Sequence, residues 1–436
     1  SGGFPVEVKT GAVLAMGSTV LEGDGFFTIR ADATLMTEHA DGLDGALGMT
    51  GLFTYDLASN YGFNGDLPQV TGNKMSETMN NLLIDNGADV TLTKSVTVNG
   101  TLEIVDGGLK LNSNTLTYGP EASLEYSGSG TQISTDVEFP ETGGPKNLII
   151  SNQRRMTLHD ARTITGNLDL YGDLKLDSNT LTVGSTSNAN ERAYVDTRDG
   201  GSLRITSIGD SQVLFPVGIN AYAPVWITNS GAVDDMSVGV LTDRDDPEYG
   251  GRVNVSWSIS EGMDGGGDYT LQFGWVGTLE SSDFKEDRVN NAKIYNMTAI
   301  REAGTGDYTR QLAVSPYTVS RAGITELGPF AVGGFRDPAG VNDPSQSVPK
   351  EFALHQNYPN PFNPVTTIDF IIAKTSKVKV VVYDILGKEI ETLVNSQMDS
   401  GIYSVQWDAT ENSSGIYVYK IISDHFVKAR KMILLK

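Results

Sequence analysis

Between residues 81 and 184 the sequence repeats itself. Asn81-Leu-Leu-Ile-Asp-Asn86 returns as Asn147-Leu-Ile-Ile-Ser-Asn152, Thr91-Leu92 as Thr157-Leu158, and Thr97-Val-Asn-Gly100 as Thr163-Ile-Thr-Gly166, each 66 residues on (81 to 147). Leu109-Lys-Leu-Asn-Ser-Asn-Thr-Leu-Thr117 returns as Leu174-Lys-Leu-Asp-Ser-Asn-Thr-Leu-Thr182 after 65 (109 to 174), which places a one-residue deletion in an expected turn at 105–108. A fainter copy precedes both: Ala58-Ser59 answers to Ala122-Ser123, and Gln69-Val70 to Gln132-Ile133. A repeat of fixed length restricts a fold more than composition does, because one small unit has to stack on copies of itself.

Each unit divides at Gly or Asn clusters into about three stretches of roughly 20 to 25 residues, with period-two patterns such as Leu-Lys-Leu and Thr-Leu-Glu-Ile. Coils of that size build a parallel β-solenoid, with alternate Leu, Ile and Val inside and Thr, Lys and Asp facing water. The same alternation also permits two tandem antiparallel sandwiches. The Ser-Asn-Thr corners at 113–115 and 178–180 read as tight bends, with asparagine taking φ > 0 and bonding its own backbone. The register predicts that Leu102, Leu111 and Leu116 are buried like Leu168, Leu176 and Leu181.

The chain as a whole reads as all-β. The expected domains are a solenoid-like region at 1–190 (units near 81–146 and 147–190), a β-sandwich region at 191–335, a Pro-containing linker at 336–349 and a last domain at 350–436. Short strands are expected at 254–259, 269–276, 293–297, 311–314 and 328–332, and Pro216 and Pro224 point to edge strands or bulges.

In the last domain, Gln356-Asn-Tyr-Pro-Asn-Pro-Phe-Asn-Pro364 excludes a helix, and short alternating segments follow. Val378, Val380 and Val382 can share one face, leaving Lys377, Lys379 and Val381 the other; Leu386-Gly387, Ser400-Gly401 and Ser414-Gly415 mark sharp turns. Five motifs occur in order: Asn357-Tyr-Pro-Asn-Pro-Phe-Asn-Pro364 with Thr366-Thr-Ile368, Val382-Tyr-Asp-Ile-Leu-Gly387, Gly401-Ile-Tyr403 leading to Trp407-Asp408, Ser414-Gly-Ile-Tyr417, and Lys431-Met-Ile-Leu-Leu-Lys436. Through them this segment resembles the type A C-terminal sorting domain of proteins exported by the type IX secretion system. The resemblance implies an Ig-like fold, the type IX machinery as partner, and delivery to the outer cell surface or the extracellular space, where such domains are usually cleaved. It also implies sorting-motif roles for Asn360, Pro361, Phe362, Asn363, Pro364, Gly387, Gly401, Tyr403, Gly415, Lys431 and Lys436. The preceding residues resemble, more loosely, repetitive β-rich surface proteins of adhesin-like or structural character, through phrases such as Thr97-Val-Asn-Gly-Thr-Leu102 and Phe215-Pro-Val-Gly218.

Little in the rest points to chemistry. The chain has no cysteine, which removes disulfides, thiolate nucleophiles and Cys-ligated metal centres. Its net charge of −22 opposes nucleic acid and anionic lipid, and no apolar run is long enough to span a membrane as a helix. It opens Ser1-Gly-Gly-Phe without initiator Met or apolar leader, which predicts a processed mature form. Of four histidines, His159 stands where the first unit has Thr93 and reads as a loop residue. Asp243, Asp245, Asp246 and Glu248 form the densest carboxylate group and are the candidate calcium ligands, against the plainer reading of solvated turn carboxylates; Asp41 and Asp44 come next. Trp226, Trp257, Trp275 and Trp407 lie in strand-like runs and read as core.

The expected function is a secreted, cell-surface structural protein without enzymatic activity or a cofactor other than that calcium, assembling with copies of itself into a filament or sheath. Phe4, Val6, Val8 and Val13 are the candidate strand for adding to a neighbour's sheet edge. Two alternatives stand beside it: an adhesin that binds surface glycans, and a glycan-active enzyme on a solenoid. The second needs a paired carboxylate, and Asp85 is replaced by Ser151 in the next unit.

Overall fold

The computed structural model describes residues 4–242, 251–263, 265–286, 288–298, 301–333, 352–354, 356–357, 360–399, 401–424 and 426–435. They fall into two compact units divided near residue 334.

The first unit begins as a solenoid. Nine parallel strands form one ladder: Val13–Ala15, Thr34–Thr37, Asn60–Phe63, Leu82–Thr91, Thr101–Lys110, Ser123–Tyr126, Asn147–Ile150, Asn167–Leu170 and Ser185–Ser187. Tyr61, Leu82, Leu102, Leu124, Leu148 and Leu168 stand in register, one per coil, and all are buried. From Leu82 to Leu148 three coils take 20, 22 and 24 residues, so the 66-residue repeat is a block of three coils. The alternative of tandem antiparallel sandwiches is thereby excluded. Parallel neighbours need a return path, and here it carries parallel strands of its own. Thr78–Met79, Val96–Val98 and Leu116–Tyr118 make one such face, and Thr131–Ile133, Arg155–Thr157, Leu174–Lys175, Val195–Asp196 and Val217–Gly218 another.

Several local expectations are corrected. Leu102, Leu168, Leu176 and Leu181 are fully buried, but Leu111 and Leu116 are only half-buried against the core. Leu116 lies in the last strand of its three-stranded face, with no further strand paired beside it, whereas Leu181 is flanked by Arg162 and Leu203. Positive φ falls on Asn112 (56°) and Asp177 (50°), not on Asn114 and Asn179. Residues 105–108 form no turn; they are a bulged part of the strand Thr101–Lys110. There Gly107 (φ 67°) is needed because a Cβ would stand 1.8 Å from the Asn86 carbonyl oxygen.

The parallel ladder does not stop at 190. Arg162–Thr163, Thr180–Val183 and Ser202–Ile208 are parallel, and Ser202–Ile208 then pairs antiparallel with Asp234–Thr242. The same sheet continues through Arg252–Glu261, Gly328–Gly333, Ile294–Asn296 and Arg301–Glu302. One sheet is thus shared by coil and sandwich, and the boundary expected at 190/191 is not a break. The facing antiparallel sheet runs Val213–Phe215, Val225–Asn229, Tyr269–Trp275, Tyr317–Ile324, Thr305–Gln311. Val213–Phe215 is its edge strand, and Pro216 follows directly after it. Residues 313–316 bend between two strands, where the sequence suggests one. Between the sheets the Phe273 ring lies 4.9 Å from Trp257 and 5.6 Å from Phe330.

The second unit is a small antiparallel sandwich. Ala353–Leu354, Val365–Ile372 and Gly401–Asp408 form one sheet; Glu389–Met398, Ser376–Asp384, Gly415–Ile422 and Val427–Leu434 form the other. Ile368, Phe370, Val378, Val380, Val382, Trp407, Tyr419 and Met432 fill the core. Val381 is buried as well, on the opposite side of a strand whose pairing shifts between Val380 and Val381.

Candidate functional site

In the second unit, motifs far apart in sequence close on one another. The Asn360 Oδ1 accepts the Ile433 N–H at 2.8 Å, the Phe362 N–H donates to the Ile433 oxygen at 2.9 Å, and the Leu435 N–H donates to the Phe362 oxygen at 3.0 Å. The Pro-rich entry therefore lies parallel to the last strand, and Pro361, Asn363 and Pro364 flank this contact. Gln356 adds its amide to the Lys431 oxygen at 2.7 Å. The Phe362 ring packs 5.5 Å from Trp407, which meets Tyr417 edge-on at 5.1 Å. The buried Asn357 holds the Tyr419 hydroxyl at 2.7 Å through its N–H and Thr366 at 2.9 Å through its amide. Tyr403 stacks on Phe370 and donates to the Asp399 oxygen at 2.9 Å. Gly387 (φ 81°) closes a turn in which Asp384 accepts the Leu386 and Lys388 N–H groups, both at 2.9 Å. That turn leaves Ile385 and Leu386 exposed by 71% and 88%. Gly401 and Gly415 open strands, and Lys436 lies outside the described residues. The arrangement has the makings of a recognition module: a rigid core, an apolar turn tip and a C-terminal strand locked to the entry segment.

In the coil, side chains that could do chemistry are spent on neighbouring coils. The buried Gln69 amide donates to the Thr37 and His39 oxygens at 3.0 and 3.1 Å, and its Oε1 accepts from Asn86 at 2.6 Å. Gln132 and Asn152 repeat this bracket: Gln132 donates to the Ile104 oxygen at 2.9 Å and accepts from Asn152 at 2.6 Å. The corner asparagines Asn114 and Asn179 donate to Leu92 and Leu158 oxygens one coil back, at 2.9 and 3.1 Å, instead of bonding their own backbone. Gly100 and Gly166 recur because a Cβ would lie 2.5 and 2.2 Å from the Oδ1 of Asn81 and Asn147, which accept the next coil's N–H groups. The brackets were marked in the sequence by their recurrence; their role was not.

His159 makes the arrangement closest to a catalytic one. Its Nδ1 lies 2.6 Å from the Ser134 Oγ and its Nε2 3.1 Å from Asp136. Arg162 lies 2.6 Å from the same Nε2 and also bonds Asp136. The bond from His159, together with the Arg162 charge, holds the exposed Asp136 carboxyl below its ordinary range. Ser134 is 1% exposed and its Oγ also accepts the His159 N–H at 3.0 Å, so no substrate reaches it. In the preceding block Thr71 and Thr93 occupy the same places, joined at 3.1 Å. The cluster is a coil-to-coil fastener.

Asp44 accepts N–H groups from Asn73 and Lys74, both at 2.8 Å. Burial raises its pKa, and these bonds outweigh burial to leave it below the ordinary value. Asp243, Asp245, Asp246 and Glu248 lie outside the described residues, and among the described residues no three His, Asp or Glu side chains converge as a metal site. Val8 is buried and Val6 partly buried, in the strand Val6–Val8 that pairs with Phe27–Ile29; Phe4 and Val13 are exposed. The segment proposed for donation is thus already a strand of the first coil. Trp257, Trp275 and Trp407 are core, as expected, but Trp226 is half-buried on an outer sheet face.

Residues 356–435 match the family described as the secretion system C-terminal sorting domain. The C-terminal unit is a type IX sorting domain. The protein is accordingly a type IX secretion cargo, delivered by that machinery to the cell surface or the extracellular space. No helix among the described residues is long and apolar enough to cross a membrane. No curated protein matches the chain. Two solved structures from Porphyromonas gingivalis are similar to part of it. PorZ, described as an essential bacterial surface component of the type IX secretion system, is 12% identical over 49% of this chain and 37% of its own, with a TM-score of 0.15. Dimeric latent PorU is 10% identical over 53% and 32%, with a TM-score of 0.17. The chain spans about a third of the length of each, and at those scores neither likeness bears on fold or function.

Proposed function

We propose that the region ahead of the sorting domain is a structural component of the cell surface, a stiff stack of coils that associates with copies of itself and carries out no catalysis. The observation that supports this is the use of polar side chains: Gln69, Asn86, Gln132, Asn152 and the Ser134–His159–Arg162 group are all turned into fasteners between coils. Fully satisfied buried polar networks rigidify a fold. Association has a surface available. The strands Val6–Val8, Val13–Ala15 and Leu21–Gly23 each end a sheet, with the exposed Phe4, Val13, Val20 and Phe26 around them. A second copy can pair along such edges.

Sedimentation and electron microscopy of the secreted full-length protein test this reading, beside a variant with Val13 and Val20 changed to Lys. Concentration-dependent assemblies that the double variant prevents are expected; monodisperse monomer at every concentration refutes association. Turnover of any polysaccharide, abolished by one carboxylate substitution, refutes the structural reading in favour of an enzyme.

A further inference from the structure

The outer face of the five-stranded sandwich sheet differs from the rest of the molecule. Register places Leu214, Trp226, Gln272, Ser320 and Thr309 in one row across all five strands. Thr228 and Thr270 pair beside them. Their strand neighbours Ile227, Leu271, Phe273 and Val319 point into the core, so these positions face outward. None carries a charge, in a chain where 20% of residues do and the net charge is −22.

The Trp226 indole reaches over Gly274 on this face. A Cβ on Gly274 would stand 2.9 Å from the Trp226 Cζ3 and 2.9 Å from the Pro224 Cγ, so the absence of a side chain at 274 lets the indole rest across the sheet. The other three tryptophans are fully buried. Around the ring stand amides and hydroxyls that each both donate and accept: Gln272, which takes a weak bond from Gln212 at 3.4 Å, with Ser320, Thr228 and Thr270.

A flat aromatic ring with uncharged hydrogen-bonding groups at a pleat repeat of about 6.7 Å matches a ligand that is itself flat, hydroxyl-rich and neutral, with apolar C–H faces. We propose that this face binds a neutral polysaccharide, the Trp226 indole stacking on a sugar ring while Gln272, Ser320, Thr228 and Thr270 bond its hydroxyls. Charge favours a neutral ligand over an acidic one: the chain's net charge repels polyanions, and none of the residues named on this face is a cation that would offset that repulsion. Uncharged partners also cost less to desolvate than ionised ones. The site is independent of the edges used for self-association, since it lies on a different sheet.

The test uses the full-length protein with dextran, laminarin, hydroxyethylcellulose and galactomannan as neutral probes, and alginate and heparin as anionic ones. Affinity electrophoresis reads binding, and acrylamide quenching of tryptophan fluorescence reads the site, because Trp226 alone among the four tryptophans is accessible. Saturable retardation by at least one neutral probe is expected, with protection of Trp226 from quenching. Trp226→Ala should weaken binding tenfold or more, and Gln272→Ala severalfold. Trp226→Leu keeps an apolar cover over Gly274 and serves if the alanine variant does not fold. Three results overturn the proposal: no retardation by any neutral probe, preference for the anionic probes, or undiminished binding by Trp226→Leu.

Discussion

The coil stack and the sorting domain both bury polar side chains, but they bridge different distances along the chain. In the coils Asn86 reaches Gln69, Asn152 reaches Gln132 and Asn114 reaches Leu92, across 17, 20 and 22 residues. In the sorting domain Asn357 reaches Tyr419 across 62 residues and Asn360 reaches Ile433 across 73. The first region is held by nearest neighbours, so its stability is a sum over adjacent coils. The second is closed by its two ends, so no part of it holds without the rest.

The strongest way to break that contrast is Trp407→Ala. Removing this buried ring should cost about 3–5 kcal/mol and lower the unfolding of the sorting domain as a whole. Calorimetry of the full chain should show that transition shifted and the coil transition unmoved; a common shift of both would end the distinction. Next in size is the pair Leu168→Ala and Leu111→Ala. The fully buried Leu168 should cost about 2–5 kcal/mol, the half-buried Leu111 nearer about 1 kcal/mol. Hydrogen exchange should show protection lost in the mutated coil and its neighbours only. Asn152→Ala comes third, at about 1–3 kcal/mol, since it takes away a donor to the Gln132 and Gly130 oxygens; unchanged stability would mean that the bracket does not fasten coils.

The 66-residue offset gave coil length, because Leu82, Leu102, Leu124 and Leu148 are spaced by the coil and the coil was copied. The sorting motifs mark the last domain because they occur in order and the fold brings their two ends together, Asn360 against Ile433. The burial of Leu111 and Leu116 departs from the repeat because the repeat fixes what a residue is, not whether another strand pairs beside it. Trp226 reads as core in the sequence because alternation cannot tell which face of an antiparallel sheet is inside; its buried neighbours Val225 and Ile227 turn it outward, and Gly274 leaves room for the ring. The sharing of one sheet between coil and sandwich has no sequence signal: Ser202–Ile208 looks the same whether its next neighbour is parallel or antiparallel.

The smallest expected effects are on acid sensitivity, and they carry opposite signs. Asp44 has a folded pKa below its unfolded value of 3.8, so its contribution is present above 3.8 and lost as pH falls through the folded value. Asp44→Asn should flatten the loss of thermal stability below pH 4. Asp173 is the reverse: burial raises its carboxyl, whose Oδ1 has no hydrogen-bond partner among the described residues, so its contribution is present below 3.8 and lost as pH rises through the folded value. Asp173→Asn should raise the unfolding temperature at pH 7 by on the order of 1 °C, and a fall there would show that the carboxylate is held by something else.

The Gln–Asn bracket occurs once in three coils, at Gln69–Asn86 and again at Gln132–Asn152. Each bracket joins two adjacent coils, so a copy of the glutamine coil alone would set Gln69 beside a second glutamine coil without an asparagine to donate to its Oε1, whereas a copy that carries both coils keeps the bracket whole. The 66-residue sequence repeat is a block of three coils, roughly 14 Å at about 4.8 Å per coil. Such a molecule can evolve as a ruler with coarse graduations, lengthened by whole blocks while the sorting domain and the outer sugar-sized face stay as they are.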